Sequence, residues 1–247
     1  NLDPEAFEAF VPAIAAETDA ILSFPTGDAA PRPLDERLAY ATSAAPELCA
    51  LDMGSVNFAF HPAARGILSW KRGWEKDFVE GSEALVLGNS MRDIGAILAR
   101  LGGARFAFEC YDVGHLYNLA HFVEEGLVKA PLFLQFSLGA LGALSGDPEN
   151  LFLMRATADR LFGRDNYEFS TLGMGRHQMA LAAMTAVMGG HVRVGLEDSL
   201  YLSRGLLSPS CSAQVLKVRR ILDELSLDIA SPDEARAMLQ TRRARPS

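Results

Sequence analysis

Short apolar runs alternate along the chain with longer stretches of helical period. The runs AILSFPTG, LCALDMGS, RFAFECYDVGH, LFLQFSLG, YEFSTLGMG and HVRVGLED each end in glycine or a polar cluster. Between them, MRDIGAILARL, LYNLAHFVEEGL, ENLFLMRATADRLF and RHQMALAAMTAVM read as helices, the last stopped by Gly189 and Gly190. The opening NLDPEAFEAFVPAIAAETDAILSFPTG also begins on a helix: Asp3 can cap, Pro4 suits the first turn and Glu5 complements the positive helix end. Strand followed by helix, six times over, predicts a parallel sheet covered by helices.

Polar residues gathered where the strands end suggest a TIM (β/α)8 barrel, whose active site is built from the loops on that side. Six units do not close an eight-stranded ring. Either the sheet is open and doubly wound, or the first two βα units of a barrel would precede Asn1; the abrupt helical start favours the second. The absence of GxGxxG after the first strand weakens a dinucleotide-binding sheet. We therefore expect one barrel domain over 1–247. Residues 59–87 break the rhythm, are too long for an ordinary βα loop, and hold both tryptophans, Trp70 and Trp74. Such an insertion serves as a lid, an oligomer contact or simply a packed excursion.

Composition narrows the class. Hydrophobic residues make up 49% of 247, ample for a continuous core. A net charge of −8 argues against a nucleic-acid binder, and the one basic run, TRRARPS, reads as a solvated terminus. Cys49, Cys110 and Cys211 form no CxxC pair or disulfide framework, which points to a reducing compartment. Cys49 and Cys110 lie in apolar runs and are expected as core residues. With no run of ~20 apolar residues and no signal-peptide pattern, the expectation is a cytoplasmic protein without a membrane segment.

The stretch GGHVRVGLEDSLYLSRG, 189–205, carries the densest chemistry. In an extended strand Val192, Val194 and Leu196 share one face, while Arg193, Gly195 and Glu197 share the other. That geometry puts Glu197 at the barrel mouth and Arg193 ~13 Å deeper, at ~3.3 Å per residue. Asp198 follows in the loop, within reach of the long Arg193 side chain. A purely structural arginine–carboxylate pair is the plain alternative, but desolvating three charges is costly and points to a site.

Other strand ends carry candidates too. FECYDVGH holds Glu109, Tyr111, Asp112 and His115; DMGSVNF holds Ser55 and Asn57; FPTG holds Thr26. STLGMGRH sets Gly173, Gly175 and Arg176 at a helix start, where free N–H groups and a cation suit an anion, although glycines there also let strand and helix pack. His177 is assigned to the first helical turn and His191 to the start of the strand, neither to a metal.

GSVNF, FECYDVGH, GRHQMALA and above all GGHVRVGLEDSLYLSRG resemble the β-keto acid cleavage enzymes, typified by 3-keto-5-aminohexanoate cleavage enzyme. The resemblance covers nearly all of residues 1–240. It implies a TIM barrel with a catalytic zinc, Glu197 as zinc ligand, Arg193 and Asp198 as the activating pair, and Glu109 and Ser55 as substrate contacts. Relatives have a small hydroxyl residue before the Thr-Gly of the early strand; Pro25 stands here, which weakens the substrate contact carried over to Thr26. Relatives also supply a His-x-His pair to the zinc. No HxH occurs in this sequence, so those ligands would have to lie before Asn1.

The implied chemistry joins a β-keto acid to acetyl-CoA and then reverses a Claisen condensation, giving acetoacetate and a new acyl-CoA. Zinc acidifies the carbon between the keto and carboxylate groups and Asp198 is the base. The turn of Gly173, Gly175 and Arg176 is a candidate CoA contact, as is segment 59–87, and Glu109 a reader of a cationic or hydroxyl group. A homo-oligomer is expected from the resemblance. Two other readings remain: a metal-dependent aldolase or hydrolase of a keto acid that needs no CoA, and a degenerate non-catalytic barrel.

Overall fold

A computed structural model describes residues 4–27 and 32–241. The Asp3 cap and all of the basic tail after Thr241 lie outside the described residues. Helices α1 (Pro4–Glu17) and α2 (Leu34–Ala44) flank strand β1 (Ser23–Pro25), and β2 (Leu48–Asp52) follows. A two-stranded antiparallel ribbon, β3 (Val56–Asn57) with β4 (Val86–Leu87), encloses the 59–87 excursion, whose one α-helix is α3 (Glu75–Gly81). Then come α4 (Met91–Arg100), β5 (Arg105–Cys110), α5 (Val113–Glu124), β6 (Leu132–Leu138), α6 (Pro148–Phe162), β7 (Tyr167–Gly173), α7 (Gln178–Val187) and β8 (His191–Val192). A second small ribbon, β9 (Tyr201–Ser203) with β10 (Leu206–Leu207), precedes α8 (Cys211–Glu224) and α9 (Pro232–Leu239).

Six strands form one parallel sheet in the order β1-β2-β5-β6-β7-β8. The order follows the chain without reversal, so the sheet is not doubly wound. Nor is it a closed barrel: among the described residues β1 and β8 are unpaired edges, and the architecture is a parallel half-barrel. The six βα units read from the hydrophobic pattern are all present, but closure needs more strands than these.

Alternation along the strands sorts the two faces. Cys49, Leu51, Phe106, Phe108, Leu134, Phe136, Leu138 and Phe169 belong to a continuous core with Leu38, Ile94, Ile97, Leu116, Leu119, Leu151, Met154 and Leu181 from the helices. Cys49 and Cys110 are buried there as expected, and burial pushes the Cys49 thiol up to about 12. The other face holds Ala50, Ala107, Glu109, Phe133, Gln135, Ser170 and His191, and encloses a cavity of about 660 Å³ that α8 borders with Val215, Val218 and Leu222. No helix of the described residues is long and apolar enough to cross a membrane.

Candidate active site

Sequence register decides what faces what. Asp52 pairs with Glu109 across β2 and β5, Glu109 with Gln135 on β6, Gln135 with Ser170 on β7, and Ser170 with His191 on β8. In a parallel sheet partners point the same way, so one polar row crosses the cavity-facing side of the sheet, from the C-terminal end of β2 to the start of β8.

Arg193 lies one residue past β8 and gathers the site. Its Nη1 donates to Glu109 Oε1 at 3.0 Å, Nε to Asp198 Oδ2 at 3.2 Å, and Nη2 to Asp198 Oδ1 at 3.3 Å and Glu197 Oε2 at 3.2 Å. The fork on Asp198 is bidentate, the geometry that guanidinium suits best. Glu109 Oε1 also accepts from Gln135 Nε2 at 3.2 Å, and Oε2 from the Tyr111 hydroxyl at 3.4 Å.

The expected extended strand through Glu197 is not what forms. Strand β8 ends at Val192, and the chain turns at Gly195, whose carbonyl accepts from the N–H groups of Asp198 and Ser199. Gln178, the first residue of α7, donates to the same carbonyl at 2.9 Å and pins the turn. The turn carries Glu197 back to Arg193 instead of ~13 Å beyond it. A glycine inside a strand pattern often marks such a break.

Electrostatics differ among the carboxylates. The Asp198 side chain is 3% exposed and Glu197 is 85% exposed. Burial raises Asp198 above the ordinary carboxylate range while Arg193 pulls it down. Glu109 is raised too, by burial first and by the charges of Glu197 and Asp198, against the opposing pull of Arg193. Arg193 itself is held more firmly protonated by these carboxylates, despite its burial.

The remaining candidates divide. Ser55 Oγ accepts from the Asn89 N–H at 2.9 Å, and Asn89 Nδ2 donates to the Asp52 carbonyl at 2.7 Å, so Ser55 stands at the rim next to the row. Thr26 is fully buried and its hydroxyl donates to the Ala50 carbonyl at 2.7 Å, a structural bond that leaves it no free donor. Asp112 caps α5 by accepting from the His115 N–H at 3.2 Å. His115 is buried, with Nδ1 accepting from Tyr111 N–H at 3.4 Å and Nε2 at 3.4 Å from the Ser55 carbonyl. Gly173 ends β7 where a Cβ would meet Gln178 Cα and the His177 carbonyl at 2.9 Å, so close packing of strand on helix requires it. Gly175 has φ of +58° and donates its N–H to the Asp198 carbonyl at 2.8 Å, which ties this turn to the site; Arg176 beside it is exposed. Asp52, Gln135 and Asn89 were missed by sequence reasoning. Asp52 and Gln135 had one available signal, a polar residue at the cavity-facing step of an otherwise apolar strand.

A zinc ion is implied by the resemblance. Among the described residues no cluster of three or more His, Cys, Asp or Glu side chains is arranged to hold a metal ion, and the Glu197 carboxylate is engaged by Arg193. A catalytic zinc takes about three protein ligands, so the described residues alone do not fit it.

Fold and site define an α/β half-barrel with an arginine-gathered carboxylate cluster at the C-terminal ends of parallel strands. The chain belongs to the beta-keto acid cleavage enzyme family, whose profile matches residues 1–241. It is 48% identical over 244 residues to a 3,5-dioxohexanoate:acetyl-CoA acetone transferase of Paraburkholderia graminis, covering 98% of this chain and 78% of that one. It is 31% identical to a 3-keto-5-aminohexanoate cleavage enzyme of Fusobacterium nucleatum, with 98% and 78% covered. Solved structures of ObcA, apo and in a binary complex with oxaloacetate, superpose with TM-scores of 0.72 and 0.73 at 18% identity. Both superpositions cover 98% of this chain, which spans only 55% and 57% of the ObcA chains. At that identity the likeness concerns the fold.

Proposed function

We propose that this chain carries the site of an acyl-transferring, carbon–carbon-cleaving enzyme that converts a β-keto acid and acetyl-CoA into acetoacetate and a new acyl-CoA. The observation that carries the reading is Arg193 holding buried Asp198 by two N–H bonds and Glu109 by a third, at the edge of the cavity. The names of the relatives support the substrate class: they act on keto acids, and the 48% identical one uses acetyl-CoA.

In this reading Asp198, aimed by Arg193 and working through one water, takes a proton from the carbon between the keto and carboxylate groups. Burial makes it a stronger base than an ordinary aspartate, and the arginine keeps it ionised in the resting site. The carbanion bonds to the acetyl carbonyl carbon and CoA leaves as thiolate. That thiolate then attacks the original keto carbon and the bond to the former methylene carbon breaks. The acyl group leaves on CoA, and the proton returns from Asp198 to acetoacetate. Arg193 stays charged throughout and Glu109 holds its far side. Glu109 is therefore occupied by Arg193, Gln135 and Tyr111, and contributes orientation more than recognition of a substrate cation.

Gly175 and Arg176 are proposed to meet the CoA moiety because their turn is bonded to Asp198 through backbone. Zinc belongs to this reading only where further ligands from outside this sequence join Glu197, in a barrel closed by further strands and assembled as a homo-oligomer.

The test uses acetyl-CoA labelled in its acetyl group with a panel of β-keto acids, beginning with 3,5-dioxohexanoate. Label must appear in the keto half of acetoacetate, and the unlabelled acyl group on CoA. Turnover without a CoA thioester would instead favour an aldolase or hydrolase.

A further inference from the structure

The row that supplies Glu109 also supplies a carboxylate the mechanism above does not use. Asp52 is the register partner of Glu109 on the adjacent strand. The two side chains share a face of the sheet. Space for the Asp52 carboxyl is made by Gly27, where a Cβ would sit 2.3 Å from Oδ2.

Their cations are unequal. Glu109 has Arg193 in direct contact at 3.0 Å. The cation whose charge bears on Asp52 is Arg37, which is buried and donates to the Thr26 carbonyl at 3.0 and 2.9 Å, the Gly88 carbonyl at 3.4 Å and Asn89 Oδ1 at 3.2 Å. Among the described residues no ion pair is made to Asp52. Two carboxylates on neighbouring strands, one clamped by a guanidinium and one not, cannot both stay ionised at low cost.

We propose that Asp52 is a positioning residue for this site, holding at neutral pH the proton of a shared Asp52–Glu109 pair and donating it to Glu109. The pair then carries one negative charge instead of two. Arg193 faces Glu109, Glu197 and Asp198 in any case, and a fourth charge would both pull Glu109 off Arg193 and repel an anionic keto acid. Burial, then the charge of Glu109, push Asp52 up to about 8, opposed by Arg37 and Tyr111. The groups facing the pair are thus Arg37 from α2, Tyr111 at the end of β5, Gln135 from β6, and Arg193 after β8 with its two further carboxylates.

The proposal deepens the function proposed for the same site, on which its kinetic arm rests, whereas its spectroscopic arm needs no turnover. Infrared difference spectra of wild type against Asp52→Asn should show a protonated-carboxyl band at neutral pH that fades as pH rises through about 8. An ionised Asp52 at neutral pH overturns the proposal. Tyr111→Phe removes the hydroxyl that donates to Glu109 Oε2 at 3.4 Å and thereby favours the doubly ionised pair, so the band should persist to higher pH; an unmoved midpoint counts against a proton shared by the pair. In turnover, kcat/KM of wild type should decline above the same pH and the decline should vanish in Asp52→Asn. The same alkaline limb in both proteins contradicts the role, while absent turnover with the band intact would fault only the functional reading.

Discussion

Replacing Arg193 with lysine keeps the charge and removes the fork. Arg193 makes four charged contacts: one to Glu109, two to Asp198 and one to Glu197. The last, to a carboxylate 85% exposed, adds little. A lysine ammonium is a point donor on a thinner stem and cannot bond Glu109 while gripping both oxygens of Asp198. At least one charged hydrogen bond to a buried carboxylate is lost, at roughly 1.5–3 kcal/mol each. A loss of about 3 kcal/mol lowers the melting temperature by roughly 6–12 °C in a chain of this size. On the proposed role of Asp198 as base the larger effect falls on turnover: kcat should drop by about 100-fold or more, the usual scale for a misplaced base, with KM for the keto acid changing far less. Differential scanning fluorimetry reads the first quantity. Steady-state acetoacetate formation, well below the melting point, reads the second. If the melting temperature falls as stated while kcat stays within about threefold of wild type, Arg193 is a structural clamp and its catalytic role is wrong.

Other expectations are more local. As the proposed base Asp198 must be ionised, and its value is raised, so kcat/KM should fall as pH drops through a midpoint above that of an ordinary aspartate; a pH–rate profile checks it. Thr26→Val should cost about 1 kcal/mol through loss of the bond to Ala50 yet leave kcat alone, since the hydroxyl is already spent. Arg176→Ala should raise KM for acetyl-CoA by roughly tenfold, about 1.4 kcal/mol, without shifting the melting temperature, whereas Gly173→Ala should do the reverse because its Cβ meets backbone. Asp52 has a folded value above its unfolded one, so the fold binds its proton more tightly and stability declines as pH rises from about 4 toward about 8. Melting curves should show Asp52→Asn gaining on wild type across that window and holding a constant lead above it.

The sheet was legible because its apolar steps are strictly alternate and each strand is punctuated. Phe106, Phe108 and Cys110 against Ala107 and Glu109 announce two faces before any coordinates. Arg193, Glu197 and Asp198 were legible as a group for the same reason, three charges in an apolar context. Their arrangement was not. A two-residue strand followed by a turn at Gly195 depends on Gln178, which arrives from a different element and cannot be inferred from local period. Six βα units were legible as too few for an eight-stranded ring, and β1 and β8 accordingly meet no partner among the described residues. Thr26, Asp112 and His115 lie at strand ends as catalytic residues do, and the backbone bond or helix cap that each makes is not visible in the sequence. Asp52 and Gln135 were passed over because a single polar residue inside a short strand carries no motif; only register with Glu109 gives them meaning.

The most direct test of Asp198 as the base needs no acetyl-CoA. The enzyme is mixed with a β-keto acid in D2O, and deuterium entering the carbon between the keto and carboxylate groups is followed by NMR above the uncatalysed rate. Wild type should accelerate exchange and Asp198→Asn should fall to background with its fold intact by circular dichroism. Undiminished exchange in Asp198→Asn would contradict the proposed chemistry at its first step.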